Sequence, residues 1–129
     1  MTEVKKEGFW YSEDELDFPD PIIYEGAWDR GIFLSSLIRL EEELESRYQV
    51  AVSAYNSGDS ETYKKYNQEY EKEVVSYRGS SFCRICDCSN GYREFQYGGF
   101  VWPHGYRHYI EEHGIKPSDC FIKMVRGSI

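Results

Sequence analysis

Leu, Ile, Val and Phe together supply only 28 of the 129 residues, a share close to that of chains that never fold. The shortage is made good by 12 Tyr, 7 Phe and 3 Trp, whose large rings bury enough surface for a modest core. No run of 18 apolar residues exists, which excludes a hydrophobic membrane-spanning helix. The opening MTEVKKEGFWYSEDELDF has neither the apolar centre nor the small-residue cleavage site of a secretory signal, so the expectation is a soluble, cytoplasmic protein. Basic charge is also short, with 15 Lys and Arg against 23 Asp and Glu, a net −8. That balance opposes nucleic-acid phosphates and anionic lipid, and makes a protein partner with a basic surface the easier electrostatic match. Cysteine is limited to four residues, and without a secretory signal they read as thiols or metal ligands rather than disulfides.

The acid is concentrated at one end. Residues 1–28 carry −6, residues 29–78 carry −3 and residues 79–129 carry +1. The first segment mixes acids, aromatics and Pro19 and Pro21 without any period, and reads as an extended arm. Its apolar residues, Trp10, Tyr24 and Trp28 among them, are too many to leave in water and are candidates for docking on the body or on a partner. From Asp29, a candidate N-cap, Phe33, Leu37, Leu40, Leu44, Tyr48, Ala51 and Tyr55 recur at steps of three and four, the mark of one helix face. NSGDS at 56–60 ends that helix and starts another, in which Tyr63, Tyr66, Tyr70, Val74 and Tyr77 keep the same period. The pair predicts an antiparallel helical hairpin over 29–78, and its tyrosine stripe suits a core seam or a dimer face, leaving the oligomeric state open. Beyond the RGSS linker the elements shorten. FCRICDCSNG predicts a strand with a tight turn, YREFQYGGFVW a hairpin about Gly98-Gly99, and PHGYRHYIEEHG a helix with Pro103 in its first turn and Gly114 past its end. The tail from Ile115, broken by Pro117, predicts an extended segment. The whole is one α+β domain: a helical hairpin followed by a small zinc-stapled β-hairpin–helix unit over 79–129.

Residues 83–113 hold three of the four cysteines and all three histidines. Zinc takes four thiolate or imidazole ligands at tetrahedral corners, and a Cys-x2-Cys turn delivers two of them together. Cys83 and Cys86 have that spacing. The histidines offer two completions, His108 with His113 or His104 with His108. Residues four apart on a helix lie about 40° apart and residues five apart about 140°, which favours the second pair. The first pair works if the last turn loosens, and Gly114 directly after His113 is where that is expected. Cys88 reads as a bystander or alternate thiol, Cys120 as a buried apolar residue, Trp102 as a core plug over the metal, and Asn90-Gly91 as a turn.

Cys83, Arg84, Cys86, Asn90, Gly91, Glu94, Trp102, Pro103, Gly105, His108, Tyr109, His113, Pro117 and Phe121 together form a pattern that resembles a group of bacterial and phage-type proteins. The resemblance covers the last third of the chain and brings neither fold nor activity with it. It implies Cys83, Cys86, His108 and His113 as the ligand set, and the helix spacing keeps His104 as the alternate. The site also resembles the two-cysteine, two-histidine zinc fingers, with a longer insert.

Four protein ligands close a zinc site and make it structural, whereas three leave a position for water and hydrolysis. On the four-ligand count the chain reads as a non-enzymatic protein-interaction module, an adaptor or inhibitor. Arg84, Arg93 and Arg107 near Tyr92, Tyr97 and Tyr106 suggest the alternative, a nucleic-acid-binding finger. A treble-clef nuclease using His104 is the third reading.

Overall fold

The face formed by Phe33, Leu37, Leu40 and Leu44 is buried and belongs to helix α1 (Arg30–Ser57), whose 28 residues span about 42 Å. A computed structural model gives the architecture, and it describes residues 5–9, 23–69, 73–76, 82–83, 85–89 and 91–127. Among these the fold is α+β, with four helices and one four-stranded sheet. In chain order the remaining elements are β1 (Lys5–Lys6), α2 (Ser60–Glu69), β2 (Val74–Ser76), β3 (Arg93–Tyr97), β4 (Phe100–Pro103), α3 (Tyr106–His113) and α4 (Asp119–Gly127). The strands lie in the order β1-β4-β3-β2; β1 runs parallel to β4 and the other pairs are antiparallel. No helix among the described residues is long and apolar enough to cross a membrane.

Gly98 and Gly99 turn β3 into β4 with φ of +60° and +83°, the two left-handed residues that a tight hairpin turn needs. Alternation along the hairpin then sends Phe95, Phe100 and Trp102 into the core. Phe121 from α4 meets the rings of Phe33, Phe100, Trp102 and Tyr106 at centroid distances of 5.2–6.0 Å, which ties α1, the sheet and α3 to one aromatic centre. Few leucines are needed when one phenylalanine bridges four rings.

The α1 stripe packs against the core as far as Tyr48 and leaves it by Tyr55. Tyr48 is half-buried and Tyr55 is 69% exposed, with its ring against Tyr63 of α2 at 5.4 Å. The chain turns between the two helices at Gly58, which is left-handed, and Asp59, whose carboxylate accepts the Thr62 N–H at 3.1 Å. Asp29 holds the N-cap position of α1, yet its side chain makes no cap bond; its carbonyl accepts the Phe33 N–H instead.

Three sequence expectations are corrected. The second helix stops at Glu69 rather than running to residue 77, because the β-branched Val74 and Val75 pair with Phe95 and Glu94 as an edge strand. Tyr70 and Tyr77 lie outside the described residues. Pro103 ends β4, opposite Glu94, and α3 begins only at Tyr106. The C-terminal segment is helical, not extended: the Ser118 hydroxyl accepts the Phe121 N–H, and Phe121 and Val125, four apart, bury one face.

Part of the N-terminal arm is built into the body. Lys5 and Lys6 pair with Phe100 and Val101, and the Glu7 carboxylate accepts hydrogen bonds from Tyr106 Oη at 2.8 Å and from the Ser118 hydroxyl. Burial and the neighbouring Glu7 push the Tyr106 phenol far above its usual range, so it stays a donor. Gly8 has φ +77°, and a Cβ there would overlap the Tyr106 ring. Gly8→Ala is therefore expected to peel this stretch from β4 and lower stability by about 1–3 kcal/mol. Chemical denaturation, with faster amide exchange at Lys5 and Glu7, checks it.

Candidate metal centre

The Cys-x2-Cys segment folds as a tight loop whose ends are held by a bridge between Phe82 and Ser89. Inside it, Cys83 N–H donates to the Cys88 carbonyl and Asp87 N–H to the Cys83 carbonyl, both at 2.9 Å. The Ile85 amide points at Cys83 Sγ at 3.4 Å, the inward-facing N–H that stabilises a thiolate in such loops. Closure requires a left-handed residue after Cys86. Asp87 fills that position with φ +59°, where a short polar side chain is tolerated and glycine is better. Asp87→Gly is accordingly expected to raise the stability of the metal-loaded protein by up to about 1 kcal/mol, and Asp87→Val to lower it by more, measured as shifts in Tm.

The two histidines come from the far end of the unit. His108 lies in the first turn of α3 and His113 is its last residue, so a regular helix would turn their rings apart. The helix is not regular there. Gly114, left-handed at φ 66°, sends its N–H back five residues to the Tyr109 carbonyl, and Ile115 N–H reaches the same oxygen at 3.2 Å. A turn closed five residues back is the wider π type, and it brings residues five apart toward one face. The segment 23–24 braces this end, through the Ile23–Ile115 bridge and a hydrogen bond from Tyr24 N–H to the Gly114 carbonyl at 2.9 Å.

These two devices bring Cys83, Cys86, His108 and His113 together. One ligand atom from each lies within 4.8 Å of all the others, Cys86 Sγ is 3.3 Å from His108 Nε2, and the imidazole centroids are 5.0 Å apart. A tetrahedral zinc with two sulfurs and two nitrogens has edges of ~3.3–3.8 Å, so the donors stand within about 1.5 Å of closure. His113 Nε2 supplies the fit test. It is buried and makes no hydrogen bond, a cost of about 1–3 kcal/mol that a metal ion removes. The set is compatible with a metal ion held by four side chains. Comparison of the chain with family models, with curated proteins and with solved structures finds no match.

The other candidates lie elsewhere. His104 is not in the cluster: its ring stands edge-on to Phe95 at 5.8 Å in a groove beside α1. Burial and the Arg107 and Arg93 guanidiniums, opposed by Glu45, hold its imidazole below the usual range. Cys88 and Cys120 are both exposed outside the cluster; α4 turns Cys120 away from Phe121 and Val125, which corrects the expectation of a buried thiol. Trp102 is fully buried as a core plug. Arg93 pairs with Glu45 at 3.0 Å and Arg107 with Glu41 at 3.5 Å, so both face α1. Trp28 packs on Phe33 at 5.7 Å, while Tyr24 is exposed with Lys116 over its ring. Trp10, Arg84 and Asn90 lie outside the described residues.

Sequence reasoning missed Glu41. It is 3% exposed, its Oε2 accepts the Trp102 indole N–H at 2.8 Å, and burial raises its carboxyl to about 7 against the opposing pull of Trp102 and Arg107. The signal was present, since Glu41 stands four after Leu37 and three before Leu44, on the core face.

Proposed function

We propose that the protein is a zinc-stabilised interaction module, in which Cys83, Cys86, His108 and His113 hold a structural Zn2+ and the surface around the ion engages a protein partner with basic character. The observation that carries the reading is the convergence of two cysteine and two histidine donors, with His113 Nε2 buried and unpartnered. Two sulfurs with two imidazoles suit zinc better than calcium or magnesium, which prefer oxygen. Bound there, the ion would supply folding energy, and four side-chain ligands leave no coordination position for a reactant.

The partner half of the reading is supported by exposed apolar groups beside the site. Phe82, Ile85 and Tyr92 are 50%, 45% and 47% exposed in or next to the cysteine loop, and Ile23 and Ile32, near Tyr24, are 60% and 55% exposed. Apolar residues gathered on a loop and ringed by charge are a common form of protein contact. The net −8 of the chain, carried by residues 1–78 rather than by the +1 of residues 79–129, favours a basic partner that also reaches the N-terminal segment and α1 over a phosphate backbone. The test uses the zinc-loaded chain as bait, with Ile85→Asp and a chelator-treated sample beside it. Retention of a basic protein that weakens with salt and is lost in both controls supports the module. Retention of DNA or RNA with no protein overturns it in favour of a nucleic-acid-binding finger.

A further inference from the structure

Among the described residues, buried side-chain nitrogen and oxygen atoms without a hydrogen-bond partner fall in only two places. One is His113 Nε2, at the metal centre. The other three are Glu41 Oε1, Glu45 Oε2 and Arg93 Nη1, and their residues line a single groove of about 500 Å³ between α1 and the β3 side of the sheet. His104 and Arg107 also line it, and Tyr92 and Phe95 add aromatic surface. The volume is that of a small-molecule pocket.

The charges in this groove are already paired, Arg93 with Glu45 and Arg107 with Glu41. An added cation would meet two guanidiniums, and an added phosphate would meet Glu41, Glu42 and Glu45. The Arg93–Glu45 pair leaves Glu45 Oε2 and Arg93 Nη1 over, and Glu41 Oε1 meets Arg107 Nη1 only at 3.5 Å without a hydrogen bond, so two acceptor oxygens and one donor nitrogen lack hydrogen-bond partners there. Their complement is a neutral group with two N–H donors beside one oxygen acceptor. Glu41 is 3% exposed and held in place through Trp102, so the acceptor it offers once ionised, above about pH 7, is fixed rather than a mobile surface carboxylate.

We propose that this groove is a second binding site, for a planar amide edge that gives N–H groups to Glu41 and Glu45 and receives one from Arg93. Guanine and a ring-borne primary carboxamide share this pattern. The Arg93 guanidinium lies between the Tyr48 ring at 4.9 Å and the Tyr92 ring at 5.1 Å; Tyr92 is the one that lines the groove, so a ligand enters as that ring moves aside and can then stack against it.

The test is a titration of the full-length, zinc-loaded, 15N-labelled chain with guanosine and, separately, with nicotinamide. The readout is the indole N–H resonance of Trp102, which reports on Glu41. Either ligand should shift that signal saturably, and which one does identifies the source of the edge. Blocking the donors, as in 1-methylguanosine or N,N-dimethylnicotinamide, should weaken binding at least tenfold, as should Glu45→Gln with the rest of the spectrum unchanged. A Trp102 signal that responds to neither ligand up to its solubility limit overturns the proposal. So does a methylated ligand that binds as well as its parent, a comparison that stands even if Glu45→Gln does not fold.

Discussion

Replacing His113 with alanine in the zinc-loaded protein is expected to cost about 3–5 kcal/mol and to lower Tm by on the order of 10 °C or more. His113 ends α3, and its widened last turn is held by Gly114 and braced by the Tyr24 and Ile115 backbones. On the proposed zinc site, this substitution removes one of the four ligands that the turn brings together. Full removal of the ion should do more. Zinc contributes ~10–16 kcal/mol to the folding of small finger peptides at neutral pH, comparable with the whole stability of an ordinary domain of ~5–15 kcal/mol. Chelation is therefore expected to unfold the cysteine loop and α3, seen as lost helical dichroism and collapse of the thermal transition. Because the ligands bind as thiolates and neutral imidazoles, acid should release the ion as well. Cys88→Ser, Cys120→Ser and His104→Ala, all outside the cluster, should leave the bound zinc at one per chain.

Glu41 gives the second large effect. Its carboxyl rises from an ordinary 4.5 to about 7 in the folded protein, chiefly through burial. A folded value above the unfolded one means that the native state favours the protonated acid. Stability from this group is full below pH 4.5, falls as pH rises toward 7, and levels off above it. The gap corresponds to roughly 3 kcal/mol. Glu41→Gln keeps an oxygen for the Trp102 indole and removes the titration. The variant should exceed the parent by about 1–3 kcal/mol above pH 7 and converge on it near pH 5. Comparing the two with zinc saturating at every pH cancels the protons released by the metal ligands. Parallel profiles would show that Glu41 is ionised in the fold across this range.

Of the candidate metal cluster, the Cys83–Cys86 half was legible from spacing, whereas the pairing of His108 with His113 was implied by the resemblance to the bacterial and phage-type pattern. Cys83 and Cys86 are three residues apart, and Gly114 marks the loosened turn beside His113. Helix period alone favoured His104 over His113, and it failed because a regular 3.6-residue repeat does not describe a turn closed five residues back. Expectations failed wherever a tertiary partner decided the outcome. Val74 and Val75 fit a helical stripe equally well until β3 offers a strand to pair with. The C-terminal segment reads as extended until Ser118 caps it and Phe121 finds four rings to fill. Arg93 and Arg107 read as surface cations, and only the fold sets them against carboxylates of α1. Glu41 is the case where both levels conflict: its register is apolar and its side chain is not, a mismatch that marks function more often than error.

X-ray absorption at the zinc edge, on protein purified without added metal, tests the central claim most directly. The predicted first shell is two sulfurs at about 2.3 Å and two nitrogens at about 2.0–2.1 Å, with no oxygen. A shell containing a water oxygen with three protein ligands, or protein that carries no zinc and melts identically with and without chelator, would contradict it.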